Sequence, residues 1–96
     1  MKMSEILNKI EELKAMAKKA EALASEIESA VSANANEAME AMNALLDKGM
    51  AMDKSDKAEF IILSQQHARF EDMKGRIETA AYKLSTEVVG NLERIA

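Results

Sequence analysis

Apolar and small residues recur at Ile6, Ile10, Leu13, Ala17, Ala20, Ala24, Ile27, Val31, Ala38, Ala41 and Leu45, with Asn34 holding the remaining place in the series. The spacing alternates four and three without a slip. Such a strict 3.5-residue repeat draws a narrow line along a helix, the line along which two helices pair as a coiled coil. A second run behaves the same way: Phe60, Leu63, His67, Phe70, Lys74, Ile77, Ala81, Leu84, Val88, Asn91 and Ile95. The pattern predicts one helix over residues 4–48 and another over 56–95. A turn at 49–55 joins them within a single domain, 1–96.

The punctuation agrees with these limits. Ser4 suits an N-cap, with Glu5 in the first turn where the helix dipole favours an acid. Gly49 suits the left-handed position that ends a helix. Asp56 with Glu59 three residues later reads as a capping box, and Ser55 competes for the same role. Within the first run, Ser32-Ala33-Asn34-Ala35-Asn36 has side chains that compete for backbone hydrogen bonds. A break near residues 33–36, giving three helices, is the alternative architecture.

The two lines match each other when the chain folds back at the turn and positions summing to 104 or 105 are paired. Leu45 then meets Phe60, Ala38 meets His67, Asn34 meets Phe70, Val31 meets Lys74 and Ile27 meets Ile77. Ala24 meets Ala81, Ala20 meets Leu84, Ala17 meets Val88, Leu13 meets Asn91 and Ile10 meets Ile95. Leu63 completes the seam near the turn. One register serves both helices, so the expected fold is all-α: a long antiparallel helical hairpin of coiled-coil type. The same register makes Ile27→Asp a disruptive change, because it sets a charge against Ile77.

Composition narrows the functional classes. The chain has 96 residues, no proline and no cysteine, so no disulfide scaffold or thiol chemistry is available. Residues 1–48 carry 6 basic and 9 acidic side chains, and residues 49–96 carry 7 and 8. Neither half offers a basic face for phosphates, which argues against nucleic acid. Residues 1–20 interleave five lysines with three glutamates, an excess of only two, so anionic lipid attracts that segment weakly and a membrane surface is disfavoured as partner. No apolar run approaches a membrane span, and the opening residues lack the apolar core of a signal peptide. The expectation is cytoplasmic synthesis, with any export following a route that needs no cleaved signal.

Candidate chemistry is sparse. His67 is the single histidine, with Glu71 one turn away. Zinc requires three or four ligands, and no second histidine or cysteine is present, so no metal or other cofactor is expected. Ser64 beside His67 lacks any oxyanion-hole element, and no catalytic residues are assigned. Asn34, Lys74 and Asn91 are polar positions on the seam, suited to fixing register. Gly75 and Gly90 interrupt a helix, as a close backbone approach or a bend would require.

Apolar residues also lie off the seam. Met39, Met42, Leu46, Met50, Met52, Ile61, Ile62, Met73, Val89 and Leu92 form the candidate interaction surface, and Leu7, Met16 and Leu23 are further off-seam residues. A two-helix seam rich in alanine buries little area, and adaptable methionines are common at contact surfaces. The expected partners are a second copy of the chain or another helical protein. The expected role is non-enzymatic: a self-assembling structural subunit, or a helical chaperone or adaptor that masks a partner's amphipathic helix.

From the turn onward the chain resembles the needle and inner-rod subunits of type III secretion systems. The residues that carry the likeness are Ala44-Leu45-Leu46-Asp47-Lys48, Lys54-Ser55-Asp56, and then Gln66, Phe70, Lys83, Val88 and Leu92. The resemblance implies a helical hairpin that polymerises into a hollow filament. It further implies Phe70, Val88 and Leu92 in packing between subunits, with Gln66 and Lys83 toward a lumen or neighbour. The turn lacks that family's prolines, and Met73 stands where the second residue of its aromatic pair is expected. The stretch Phe60 to Phe70 is also similar to the second helix of small helical secretion co-chaperones.

Overall fold

The computed structural model describes residues 1–95; Ala96, the last residue of the expected domain, lies outside the described residues. The fold is all-α and of helical-hairpin type, with no strand among the described residues. Helix α1 runs Met3–Leu46, a 3-10 turn follows at Gly49–Ala51, and α2 runs Lys54–Lys83. A π-helical turn, Leu84–Val89, then leads into α3, Gly90–Ile95.

The chain divides into two compact units. One combines Met1–Ile27 with the segment that begins at Ile77; the other is Glu28–Arg76 and contains the reversal. Within the second unit the pairs follow the expected register. Lys48 meets Asp56, a pair that sums to 104. Asn34, Glu37 and Ala38 of α1 share the lining of one depression with Leu63, Gln66 and Phe70 of α2.

Helix α1 is unbroken through residues 32–36, so the three-helix alternative does not occur. Ala35, in the middle of the suspected weak spot, is the most deeply covered residue of the core at 2 % exposure. Tertiary packing overrides the modest propensity of serine and asparagine there. Helix α1 starts earlier than expected. Lys2 is its cap residue: the amides of Glu5 and Ile6 donate to the Lys2 carbonyl, and the Glu5 carboxylate accepts from the Lys2 amide. Ser4 therefore lies inside the first turn.

The reversal confirms one expectation and corrects another. Gly49 has φ +53°, the left-handed conformation that a side chain opposes. The cap of α2, however, lies three residues upstream of the expected one. Asp53 Oδ1 accepts from the Asp56 amide at 2.8 Å, and Asp56 Oδ2 accepts from the Asp53 amide at 3.2 Å. This reciprocal pair is a capping box built from two aspartates. Lys48 Nζ donates to Asp56 Oδ1 at 2.9 Å, tying the end of α1 to the first turn of α2.

The Lys48 hydrogen bond, supported by the Asp53 amide, holds the Asp56 carboxyl below its ordinary range. The same hydrogen bond raises the Lys48 ammonium. A depressed carboxyl contributes its stability fully above the unfolded value, about 4, and loses it as pH falls through the lower folded value. Asp56→Asn is therefore expected to flatten the acid limb of a stability-against-pH curve, read by urea denaturation below about pH 4. At neutral pH, Asp53→Ala is expected to cost about 1 kcal/mol, as loss of an N-cap does.

The buried core consists of Ala17, Ala24, Val31, Ala35, Ala38, Leu45 and Val89. Five of these α1 residues stand seven apart, and Ala35 lies beside them. On α1 the central line of the expected seam is thus inward. Its flank is not the expected one. Lys14, Glu21, Glu28 and Met42 are half-buried in line with Ala35, whereas Leu13, Ile27 and Asn34 are exposed. Ala20 and Ala41, on the same line as Leu13 and Ile27, are only half-buried. The inward flank lies one residue later along the chain. Ala35 permits close packing that Asn34 would spoil by burying an amide. Long lysine and glutamate stems can cover apolar surface while their charged ends stay wet.

On α2 the expected positions Phe60, Leu63, His67, Phe70, Lys74, Ile77, Ala81 and Leu84 are all half-buried. Then the π-helical turn intervenes. It carries one extra residue, and the Gly90 amide donates to the Ser85 carbonyl five residues back. The inward line therefore steps from Leu84 to Val89 and Leu92. The expected seam residues Val88 and Ile95 are exposed, as is Asn91. The step removes an asparagine from the interface. It also leaves backbone carbonyls to be satisfied: Thr86 Oγ1 donates to the Tyr82 carbonyl at 2.8 Å, and Asn91 Nδ2 donates to the Glu87 carbonyl. A Cβ built on Gly75 meets nothing within 4 Å, and one built on Gly90 meets only the Ser85 carbonyl at an ordinary distance. Neither glycine marks a close backbone approach within the chain.

Candidate interaction surfaces

In the unit containing the reversal, large apolar side chains face outward. Met39, Leu46, Met50, Ile61, Ile62 and Met73 are exposed, Met50 completely so. Met42 and Met52 are half-buried. Of the ten expected surface residues, two lie in the other unit. Val89 is buried there and Leu92 half-buried, because the π-helical turn rotates both inward. These two belong to the hairpin's own packing.

The same unit has a shallow depression of about 290 Å³ lined by Asn34, Glu37, Ala38, Leu63, Gln66 and Phe70. Leu63 and Phe70 give it apolar walls, and three uncharged or acidic polar side chains share the lining. His67 Nε2 lies 3.7 Å from Glu71 Oε1, so the two are neighbours without a hydrogen bond. Among the described residues no three metal-capable side chains gather.

The other unit presents a feature that single-residue reading passes over. Ile6, Leu13, Met16, Leu23 and Ile27 of α1 are all exposed. With Lys9 and Ala20 they follow one another at intervals of three and four: 6, 9, 13, 16, 20, 23, 27. This is a second heptad line on the same helix, adjacent to the one that is buried. Leu13, Ala20 and Ile27 belong to the expected seam, and Met16 and Leu23 to the off-seam residues. The signal was present in their common spacing. The more apolar flank of α1 in this unit is the one left exposed. On the opposite segment of this unit Lys18 Nζ lies 3.8 Å from Glu93 Oε1, an exposed ion pair of small energetic weight.

No helix of the described residues is long and apolar enough to cross a membrane. In comparisons with known proteins, no family model matches the chain, and neither a curated protein nor a solved structure matches it.

Proposed function

We propose that this chain is a non-enzymatic helical protein that works by packing its helices against those of other chains, first among them further copies of itself. One observation carries the reading: the buried core is mostly alanine, while the isoleucine and methionine side chains and all described leucines but Leu45 stand outside it. Burial of apolar area stabilises at about 25 cal/mol per Å², so alanine layers contribute little and the larger side chains contribute only once covered. A subunit of a homopolymer, such as the secretion filament implied by the resemblance, is the extended form of this role. The adaptor reading draws on a different feature. Met39, Met50 and Met73 are exposed in the unit that contains the reversal, and flexible methionine accommodates partners of differing shape.

Sedimentation velocity and thermal melting of the full chain over about a hundredfold range of concentration test the proposal. Self-association raises both the sedimentation coefficient and the melting temperature with concentration. Open-ended growth marks a filament subunit, and a plateau marks a closed oligomer. A monomer whose melting temperature is independent of concentration excludes self-assembly and leaves the adaptor reading.

A further inference from the structure

We infer that the π-helical turn Leu84–Val89 is a register switch: the segment Gly90–Ile95 has a second inward packing, a regular α-helical continuation of α2, and Asn91 holds it in the present one. Two apolar lines lead on from Leu84. The line in use steps to Val89, which is 7 % exposed, and then to the half-buried Leu92. The other continues the strict repeat of α2 through Val88, Asn91 and Ile95, and these three now face water. Moving the extra residue out of the turn rotates Gly90–Ile95 by about 100° and exchanges the two lines, while the residues before Leu84 keep their places.

The two packings are closely matched in apolar content. The present one seats a valine and a leucine, and the other seats a valine and an isoleucine. Leucine and isoleucine are isomers, so the apolar area each packing can cover is nearly equal. Two opposed effects remain. The π-helical turn, in which the Gly90 amide reaches back to the Ser85 carbonyl, is a rare interruption of the α-helical ladder. That favours the regular helix. Against it, the regular helix would carry the Asn91 amide into the interface between Val88 and Ile95, where a polar group without a partner is costly. In the present register the same amide is exposed and donates to the Glu87 carbonyl. The Lys18–Glu93 pair, which the rotation would break, spans 3.8 Å between two exposed side chains and contributes little to the choice. One uncharged side chain therefore decides between two packings of similar worth, the condition for a two-state element. The output of the switch is which pair stands in solvent, Val88 with Ile95 or Val89 with Leu92.

The test uses the full chain. It has no cysteine, so a single introduced thiol reports its own burial through the rate of maleimide labelling. Val88→Cys and Val89→Cys are made separately, each in three backgrounds. In the otherwise native chain the thiol at position 88 is expected to react about tenfold faster than the thiol at position 89. Asn91→Leu makes the α-helical line wholly apolar and is expected to move that ratio about tenfold toward position 89. Asn91→Leu together with Leu92→Asn transfers the asparagine from one line to the other. That pair is expected to invert the order of the two rates with unchanged far-ultraviolet circular dichroism. A thiol at position 88 that stays the faster in the paired variant overturns the switch, because the turn is then held by something other than these side chains. Labelling of both positions at the rate of the urea-unfolded chain also overturns it, since the segment has then come away without a second packing. A ratio unmoved by Asn91→Leu and inverted only by the pair overturns the role given to Asn91 and assigns the choice to Leu92.

Discussion

Ala24→Asp is expected to abolish the cooperative helical fold, whereas Ile27→Asp, three residues away, retains it. Ala24 is 7 % exposed and Ile27 48 %. An aspartate at position 24 would be buried on the inward line, one turn from the half-buried Glu21 and Glu28, which add like charge and no cation. An unpaired buried charge costs on the order of 3–5 kcal/mol. A small helical domain with an alanine core has about that much stability in total, so the folded population is lost. At position 27 the carboxylate stays in water. The cost there is a partly covered isoleucine, about 1 kcal/mol. Circular dichroism and urea titration of the two variants decide the matter. Equal destabilisation, or the reverse order, would restore the register in which Ile27 faces Ile77.

Val89→Ala is expected to destabilise by about 2 kcal/mol through the cavity it leaves, and to lower the melting temperature by about 10 °C. Val88→Ala is expected to change neither by a measurable amount. Val89 is 7 % exposed and Val88 40 %. Position 88 loses little buried surface and gains an alanine, the best helix former. A regular α-helix through residues 84–95 would invert the pair, making Val88 the costly site. The comparison therefore reads the extra residue of the π-helical turn directly from a melting curve.

These two pairs of variants mark where sequence and tertiary structure part company. The division into two helices and a reversal near residue 50 is legible because it rests on local chemistry. The two 3.5-residue runs, the left-handed glycine at 49 and the absence of proline each act within a few residues of chain. Register is legible for a related reason. It is a property of spacing, and Lys48 with Asp56 falls where the spacing places it. The cap of α2 is ambiguous in the sequence because Asp53, Ser55 and Asp56 are all competent caps. A contact from outside the segment, the Lys48 ammonium on Asp56, accompanies the choice of Asp53.

By itself the sequence determined the helical class, the hairpin topology and the central inward line of each helix, since periodicity specifies which residues share a face. Only tertiary structure decided how far α1 rotates about that line and where α2 gains a residue. Rotation follows the tightest packing, and Ala35 admits a neighbouring helix more closely than Asn34 does. In turning Asn34 outward, α1 also turns out Leu13 and Ile27, which share its heptad position. The added residue in the π-helical turn exchanges Asn91 for Leu92 at the interface, a gain that exists only when another helix is there to be packed against. Such choices compare whole interfaces, and no window of local sequence contains both sides of one.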